Sequence, residues 1–132
     1  MKMTNLWVTL LAVTALLVTA NCKKDSTPTG SSRVVKFELT GNYSGKLDLA
    51  YTAADGSTVS ATAALPWTKE ITYEKTVYGL GLGGNSAISA TGVAGQTVTV
   101  KIYSAGNVVK NSTSTTGTNG IVNLPTFAYL FP

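Results

Sequence analysis

The side chains that could do chemistry are few in this 132-residue chain, because it has no histidine and a single cysteine, Cys22. Without histidine the usual general base and the Ser-His-Asp arrangement are missing, as are most zinc and copper sites. The acidic residues are scattered, and no cluster of them offers the oxygen ligands that a calcium site needs. We therefore expect no enzyme activity, no metal ion and no cofactor.

One glycine-rich segment resembles a nucleotide-binding motif. Residues 79–84 match G-x-G-x-x-G literally. A dinucleotide fingerprint also needs a strand before it, a helix after it and an acid about twenty residues further on. Sequence of β type follows here instead, so we interpret the segment as a glycine-rich loop or bulge.

Cys22 ends an N-terminal stretch with the layout of an export signal. Lys2 supplies a positive charge, and residues 6–20 form an apolar run interrupted only by threonines. These fifteen residues would span about 23 Å as a helix. That is shorter than the roughly 30 Å hydrocarbon core of a bilayer. The run is therefore typical of a signal peptide rather than of a permanent membrane helix.

Residues 18–25 resemble the lipobox of bacterial lipoproteins, and the Cys-Lys-Lys-Asp segment at 22–25 looks like the openings common in the Bacteroidetes group. In such proteins the cysteine is acylated and becomes the mature N-terminus. The usual pattern has Leu and a small residue where this chain has Thr19 and Asn21. The resemblance implies that residues 1–21 are a lipoprotein signal peptide.

The same resemblance implies that Cys22 is the site of lipid attachment. Several acyl chains, at about 0.8 kcal/mol per buried CH₂, are enough for stable anchoring in a membrane. By analogy with lipoprotein sorting, Lys23 directly after the cysteine indicates the outer membrane. The domain would face either the periplasm or the cell surface.

Two other fates of the N-terminus remain open. Ordinary signal peptidase could cleave after Ala20 and release a soluble protein with an unmodified Cys22, or the segment could stay as an uncleaved anchor. An odd thiol in an exported chain requires an explanation, and acylation supplies one because it consumes the thiol.

Composition divides the rest of the chain into two parts. Residues 22–33 are rich in Ser, Thr, Gly and Lys, which predicts a flexible tether. Residues 34–132 form one domain of the size of a β-sandwich. This domain carries six lysines and five acidic residues, so it is close to neutral. The basic charge of the whole chain is therefore no sign of a nucleic-acid partner, and no pattern identifies a small-molecule ligand.

Alternating apolar and polar residues, separated by turn signals, predict strands throughout the domain. Val35, Phe37 and Leu39 begin the series, and Gln96 to Tyr103 form the clearest late strand. Asp55-Gly56 predicts a hairpin. Seven or eight short strands with turns about every ten residues favour an all-β sandwich or barrel.

Four motifs resemble the MmpS family, the transport accessory proteins of mycobacteria with relatives among Bacteroidetes lipoproteins. They lie at residues 37–41, 51–56, 65–69 and 98–103. The resemblance implies an immunoglobulin-like antiparallel β-sandwich and a partnership with large MmpL-type exporters of lipids or siderophores. Mycobacterial members keep a membrane helix and often a cysteine pair in the domain, whereas this chain has an apparent lipid anchor and no such pair.

We therefore expect a non-enzymatic, lipid-anchored protein of the cell envelope that serves as an accessory or interaction subunit of a transport system. The alternative is a binding module for a glycan or a lipid. An exposed aromatic platform, for which Trp67, Tyr73, Tyr78 and Tyr103 are the candidates, would favour the binding module. An open strand edge or an apolar patch would favour the accessory subunit. Packing inside the sandwich is the other interpretation of these aromatic residues.

Overall fold

The computed structural model describes residues 32–86 and 91–132, and every regular element in these residues is a β-strand. The strands are β1 (Val34–Gly41), β2 (Leu47–Thr52), β3 (Thr58–Ala63), β4 (Trp67–Thr72), β5 (Gly79–Asn85), β6 (Thr97–Ser104), β7 (Asn107–Thr115) and β8 (Asn123–Leu130). They form two antiparallel sheets, sheet A in the order β4-β1-β6-β7 and sheet B in the order β3-β2-β5-β8. The predicted signal peptide, Cys22 and the tether up to residue 31 lie outside the described residues.

The predicted antiparallel β-sandwich of seven or eight strands is confirmed, with four strands in each sheet. Its immunoglobulin-like character stays a prediction. The alternative of a closed barrel is wrong, because the eight strands pair as two separate sheets. Each sheet turns one face to the other, as the alternation of apolar residues along the strands requires.

The core lies between the two sheets. Its fully buried side chains come mainly from the central strands β1 and β6 of sheet A and from β2 and β5 of sheet B. The largest of them are Phe37, Leu39, Leu47, Leu82, Ile102, Val35, Val98, Val100 and Val122. Buried and partly exposed residues alternate along β1 and β6, so the pattern found in the sequence is the pattern of burial.

The glycine-rich segment differs from its prediction. It is not a loop but strand β5, which pairs with β2 on one side and β8 on the other. The predicted bulge is present as a register shift between Leu82 and Gly84. Leu80 and Leu82 provide the buried side chains that hold the strand in the core.

The predicted turns fall where the sequence placed them. Asp55 and Gly56 lie in the hairpin between β2 and β3, and Gly56 has a φ of 90°. Asp55 Oδ1 accepts hydrogen bonds from the amide and the hydroxyl of Ser57, at 2.9 and 2.7 Å. Pro66 follows the end of β3, and Pro125 lies in the edge strand β8, where a missing N–H is tolerated.

The sandwich has two ends, which we name the tether end and the far end. The tether end holds the start of β1 and the segments 53–57, 73–78, 105–106 and 131–132. At this end the amide of Glu74 donates a hydrogen bond of 2.9 Å to the carbonyl of Ala54, which ties the segment after β4 to the hairpin of sheet B. The far end holds the opposite strand ends.

Candidate functional site

Three tyrosines that the sequence offered as a stacking platform lie apart. Tyr73 is buried, and its hydroxyl donates a hydrogen bond of 2.7 Å to the carbonyl of Thr52. Burial raises the pKa of the Tyr73 hydroxyl well above its usual value. Tyr78 is largely exposed, and Tyr103 lies on the outer face of sheet A. These three residues therefore form no common surface for a ring-shaped ligand.

Trp67 packs against the core, as the core interpretation predicted, although part of its ring stays exposed. Its ring centroid lies 5.9 Å from that of Tyr51, which in turn lies 6.0 Å from that of Phe37. These tilted contacts are typical of aromatic packing inside proteins. Phe127, likewise, is partly buried against the core rather than forming an exposed patch.

The outer face of sheet B contains an open concavity of about 750 Å³, which we name the sheet B hollow. It exists because β5 turns glycines outward between strands that carry short side chains. The outward residues that line it are Asp48, Ala50, Thr52, Thr58, Ser60, Thr62, Gly81, Gly83, Asn85 and Thr126. Five of these ten residues carry a hydroxyl group, and one, Asp48, carries a carboxylate.

Hydrogen bonds order some of the side chains of the hollow. The hydroxyl of Thr52 accepts a bond of 2.8 Å from the amide of Gly81. The hydroxyl of Thr62 donates a bond of 3.3 Å to Asp48 Oδ1. The hollow therefore offers hydrogen-bond donors and acceptors, and its glycines allow close approach of a ligand to the backbone.

Strand β3 forms one edge of the hollow and also an open edge of sheet B. Its sequence, TVSATA, has no charged residue and no proline. Edge strands usually carry such residues, because a free row of N–H and C=O groups would otherwise pair with another chain. The β3 edge is therefore a ready template for an added strand.

The other three edges are protected. On β4, Lys69 lies opposite the buried Phe37 and Glu70 follows it, so the edge carries two exposed charges. On the other side of the sandwich, β7 and β8 lie close to each other. In addition, β7 carries Lys110 and β8 carries Pro125, which are residues that disfavour pairing with another chain. Among the four edge strands, β3 alone has neither a charge, a proline nor a covering neighbour.

The outer face of sheet A carries a compact charged cluster. The ammonium of Lys36 lies 3.0 Å from Glu38 Oε2 and 4.1 Å above the centroid of the Tyr103 ring. The hydroxyl of Tyr103 donates a hydrogen bond of 3.0 Å to Glu38 Oε1. The hydrogen bonds from Lys36 and Tyr103 hold the pKa of Glu38 below its usual value. Because these three side chains contact each other, we interpret the cluster as one that stabilises the outer face of sheet A.

This cluster predicts an acid-dependent loss of stability. Since the pKa of Glu38 is lower in the folded than in the unfolded protein, its contribution is present at neutral pH and is lost as the pH falls below about 4. Glu38→Gln should therefore lose less of its free energy of unfolding between pH 7 and pH 3 than the native chain. Urea unfolding at both pH values measures this difference, with Thr40→Gln as control. Equal losses in the native chain and Glu38→Gln would contradict it.

In residues 32–86 and 91–132 no three metal-ligating side chains come together. The same part of the chain contains no helix that is long and apolar enough to cross a bilayer. Cys22, the predicted lipid attachment site, lies outside it. The β3 edge is not evident from the sequence, although the run TVSATA is visibly uncharged, because the order of strands in a sheet decides which of them is an edge.

Comparison with known proteins gives no relative from which a role could be transferred. No protein-family model matches the chain, and no curated protein matches it either. The resemblance to the MmpS family stays a prediction that rests on the four motifs.

Proposed function

We propose that this protein is a non-catalytic interaction domain of the cell envelope, held at the outer membrane by acylation of Cys22. It acts as an accessory subunit of an envelope assembly, such as an exporter of the type that MmpS proteins serve. The lipobox-like sequence supports the anchor, and the open strand edge supports the interaction. No exposed aromatic platform is present in the described residues to favour the alternative of a stacking-based glycan module.

The observation that carries this proposal is the contrast between β3 and the other edge strands. Thr58, Ser60 and Thr62 point outward on β3 and are exposed, while Val59 and Ala61 are partly buried beneath them. An added strand would continue sheet B and would extend the small-residue surface of the hollow. Main-chain hydrogen bonds would provide affinity, and the short side chains would allow close approach.

The partner strand should come from a different protein rather than from a second copy. Antiparallel pairing of β3 with its own copy would place the two tether ends at opposite ends of the dimer. Two domains anchored by short tethers in one leaflet would then have their attachment points far apart. An extended segment of another envelope protein has no such restriction.

A second function is favoured by the hydroxyl groups of the sheet B hollow. Thr52, Ser60 and Thr126, together with Asp48, offer donors and acceptors to a polar ligand such as an oligosaccharide. In this alternative the ligand would lie on the outer face of sheet B, and the backbone of the β3 edge would stay unpaired.

Crosslinking in the native membrane tests the proposal. A photo-reactive residue at position 60 of the full chain should give a defined protein adduct, while the same residue at exposed Thr68 on β4 should not. Adding Thr58→Lys and Thr62→Lys should lower the yield at position 60 on the order of tenfold, equivalent to about 1.4 kcal/mol. The matched control is Thr68→Lys with Thr72→Lys, because it adds the same charges to the edge of β4.

The outcomes separate the two functions. Equal protein adducts at positions 60 and 68, or a yield unaffected by the β3 lysines, would contradict strand addition. A saccharide adduct at position 60 without a protein adduct would establish the second function instead. Surface substitutions of this kind change stability by about 0.5 kcal/mol or less, so loss of the adduct would not reflect unfolding.

A further inference from the structure

Exposed apolar side chains are concentrated at one end of the sandwich. Five large hydrophobic residues of the described chain are exposed, and four of them lie at the tether end. These four are Val34 (39% exposed), Tyr78 (81%), Val108 (51%) and Leu130 (75%), which we name the tether-end rim. The fifth, Val93 (63%), lies at the far end.

Both sheets contribute to the rim. In sheet A, Val34 is the first residue of β1, and Val108 is the second residue of β7, which starts at the same end. In sheet B, Leu130 is the last residue of β8. Next to it, the amide of Phe131 donates a hydrogen bond of 3.0 Å to the carbonyl of Tyr78. The rim therefore runs across the end of the sandwich rather than along one face.

The chain leaves the domain toward Cys22 at this same end. Arg33 is fixed there, since its carbonyl accepts a hydrogen bond of 2.9 Å from the amide of Tyr73. Its guanidinium donates a bond of 2.6 Å to the carbonyl of Lys75 and lies 4.3 Å above the centroid of the Phe131 ring. The direction from which the tether approaches is thus set by contacts with the domain.

The length of the tether limits how far the domain can lie from its attachment point. Ser32, the first described residue, is ten residues beyond Cys22, which allows at most about 35 Å when fully extended. A flexible chain of this length has a root-mean-square span of about 17 Å. A flexible linker of this length keeps the domain near its attachment point at an effective concentration in the millimolar range. Even a weak contact between the rim and a membrane is therefore populated.

We propose that the tether-end rim docks on the lipid bilayer, with Tyr78 and Leu130 in the headgroup region. This inference rests on the proposed anchor at Cys22, since acylation there places the tether end next to the membrane. Tyrosine is well suited to such an interface, because its ring is apolar and its hydroxyl can stay hydrated. The rim thereby orients the strands toward the bilayer and turns the far end outward.

The charges at the tether end balance each other. Arg33 and Lys75 carry positive charges at the tether end, and Asp55 and Glu74 carry negative ones. The near balance of charge predicts that docking depends little on the fraction of anionic lipid or on salt.

Labelling a single introduced thiol tests this contact. Acylation consumes the thiol of Cys22, so Tyr78→Cys, Leu130→Cys and Val93→Cys each offer one site for a nitroxide. The acylated proteins are reconstituted into vesicles of phosphatidylethanolamine and phosphatidylglycerol in a 3:1 ratio. Accessibility to oxygen, which enters lipid, is then compared with accessibility to a water-soluble nickel chelate.

Labels at 78 and 130 should show a several-fold rise in the oxygen-to-nickel ratio on reconstitution, and the label at 93 should show none. The rise should persist in 0.5 M NaCl. A label at Val108→Cys should show the same rise in the oxygen-to-nickel ratio. Adding Tyr78→Ser and Leu130→Ser to that labelled protein should abolish the rise. An acylated protein whose labels at 78 and 130 behave like the label at 93 would overturn rim docking and leave the anchor intact. A protein without acyl mass would overturn the anchor, and rim docking with it.

Discussion

Replacing Phe37 by alanine should lower the free energy of unfolding of this domain by about 3–5 kcal/mol. Phe37 is fully buried on the central strand β1, and its ring packs against that of Tyr51. The substitution removes both the apolar contacts and the volume that the ring fills. Since domains of this size are stable by about 5–15 kcal/mol, the variant would retain only a part of its stability.

Urea unfolding followed by the fluorescence of Trp67 measures this effect, because Trp67 packs against the same group of rings. Tyr78→Ala is the matched control, since it truncates an aromatic side chain that is largely exposed. It should change the free energy of unfolding by about 0.5 kcal/mol or less. If Phe37→Ala cost no more than Tyr78→Ala, the core would not be centred on β1.

Replacing Cys22 by serine should move the protein from the membrane to the soluble fraction almost completely. The acyl chains supply the membrane affinity, at about 0.8 kcal/mol per buried CH₂. Without the acyl chains, the tether no longer keeps the rim close to the membrane at a high effective concentration. The rim alone is too small to hold the domain there. Carbonate-washed membranes followed by immunodetection measure the distribution.

Lys23→Ser is the control for this substitution. It changes the next residue of the tether and removes a charge, yet it should leave the protein in the membrane fraction. Equal retention of Cys22→Ser and the native chain would contradict an anchor that depends on the thiol.

Much of the fold was predictable because burial follows alternation in most strands. Phe37 and Leu39 on β1, and Val98 and Val100 on β6, are buried where the period of two places them. Asp55-Gly56 was equally clear, since a tight hairpin needs a residue that accepts positive φ. These signals are local, so they can be interpreted without knowing which strands pair.

Strand β5 was not predictable as a strand, because what makes it extended is not local. Glycines weaken intrinsic strand preference, and it is the pairing with β2 and β8 that makes residues 79–85 extended. Its glycines also have a structural requirement: a side chain at Gly84 would place a Cβ atom 2.6 Å from the carbonyl oxygen of Asp48. This close approach depends on sheet register, which the sequence alone does not reveal.

The candidate surfaces depend on tertiary structure in the same way. TVSATA is conspicuous only once β3 is known to be an edge. Tyr78 and Leu130 are more than fifty residues apart in the chain, and only the pairing of β5 with β8 brings them to one end. The separation of Tyr73 from Tyr103 likewise follows from the strand register. The sequence could therefore predict the fold class more readily than the surfaces that the fold exposes.

The central claim, that the domain works while attached to a membrane through Cys22, is tested most directly by the intact mass of the native protein purified from membranes. We expect a chain that begins at Cys22 and carries the additional mass of the acyl groups, and that enters the detergent phase on phase separation. A soluble chain that begins at Asn21 with an unmodified thiol would contradict acylation of Cys22. It would remove the anchor and the bilayer contact, and would make a secreted binding module the leading interpretation.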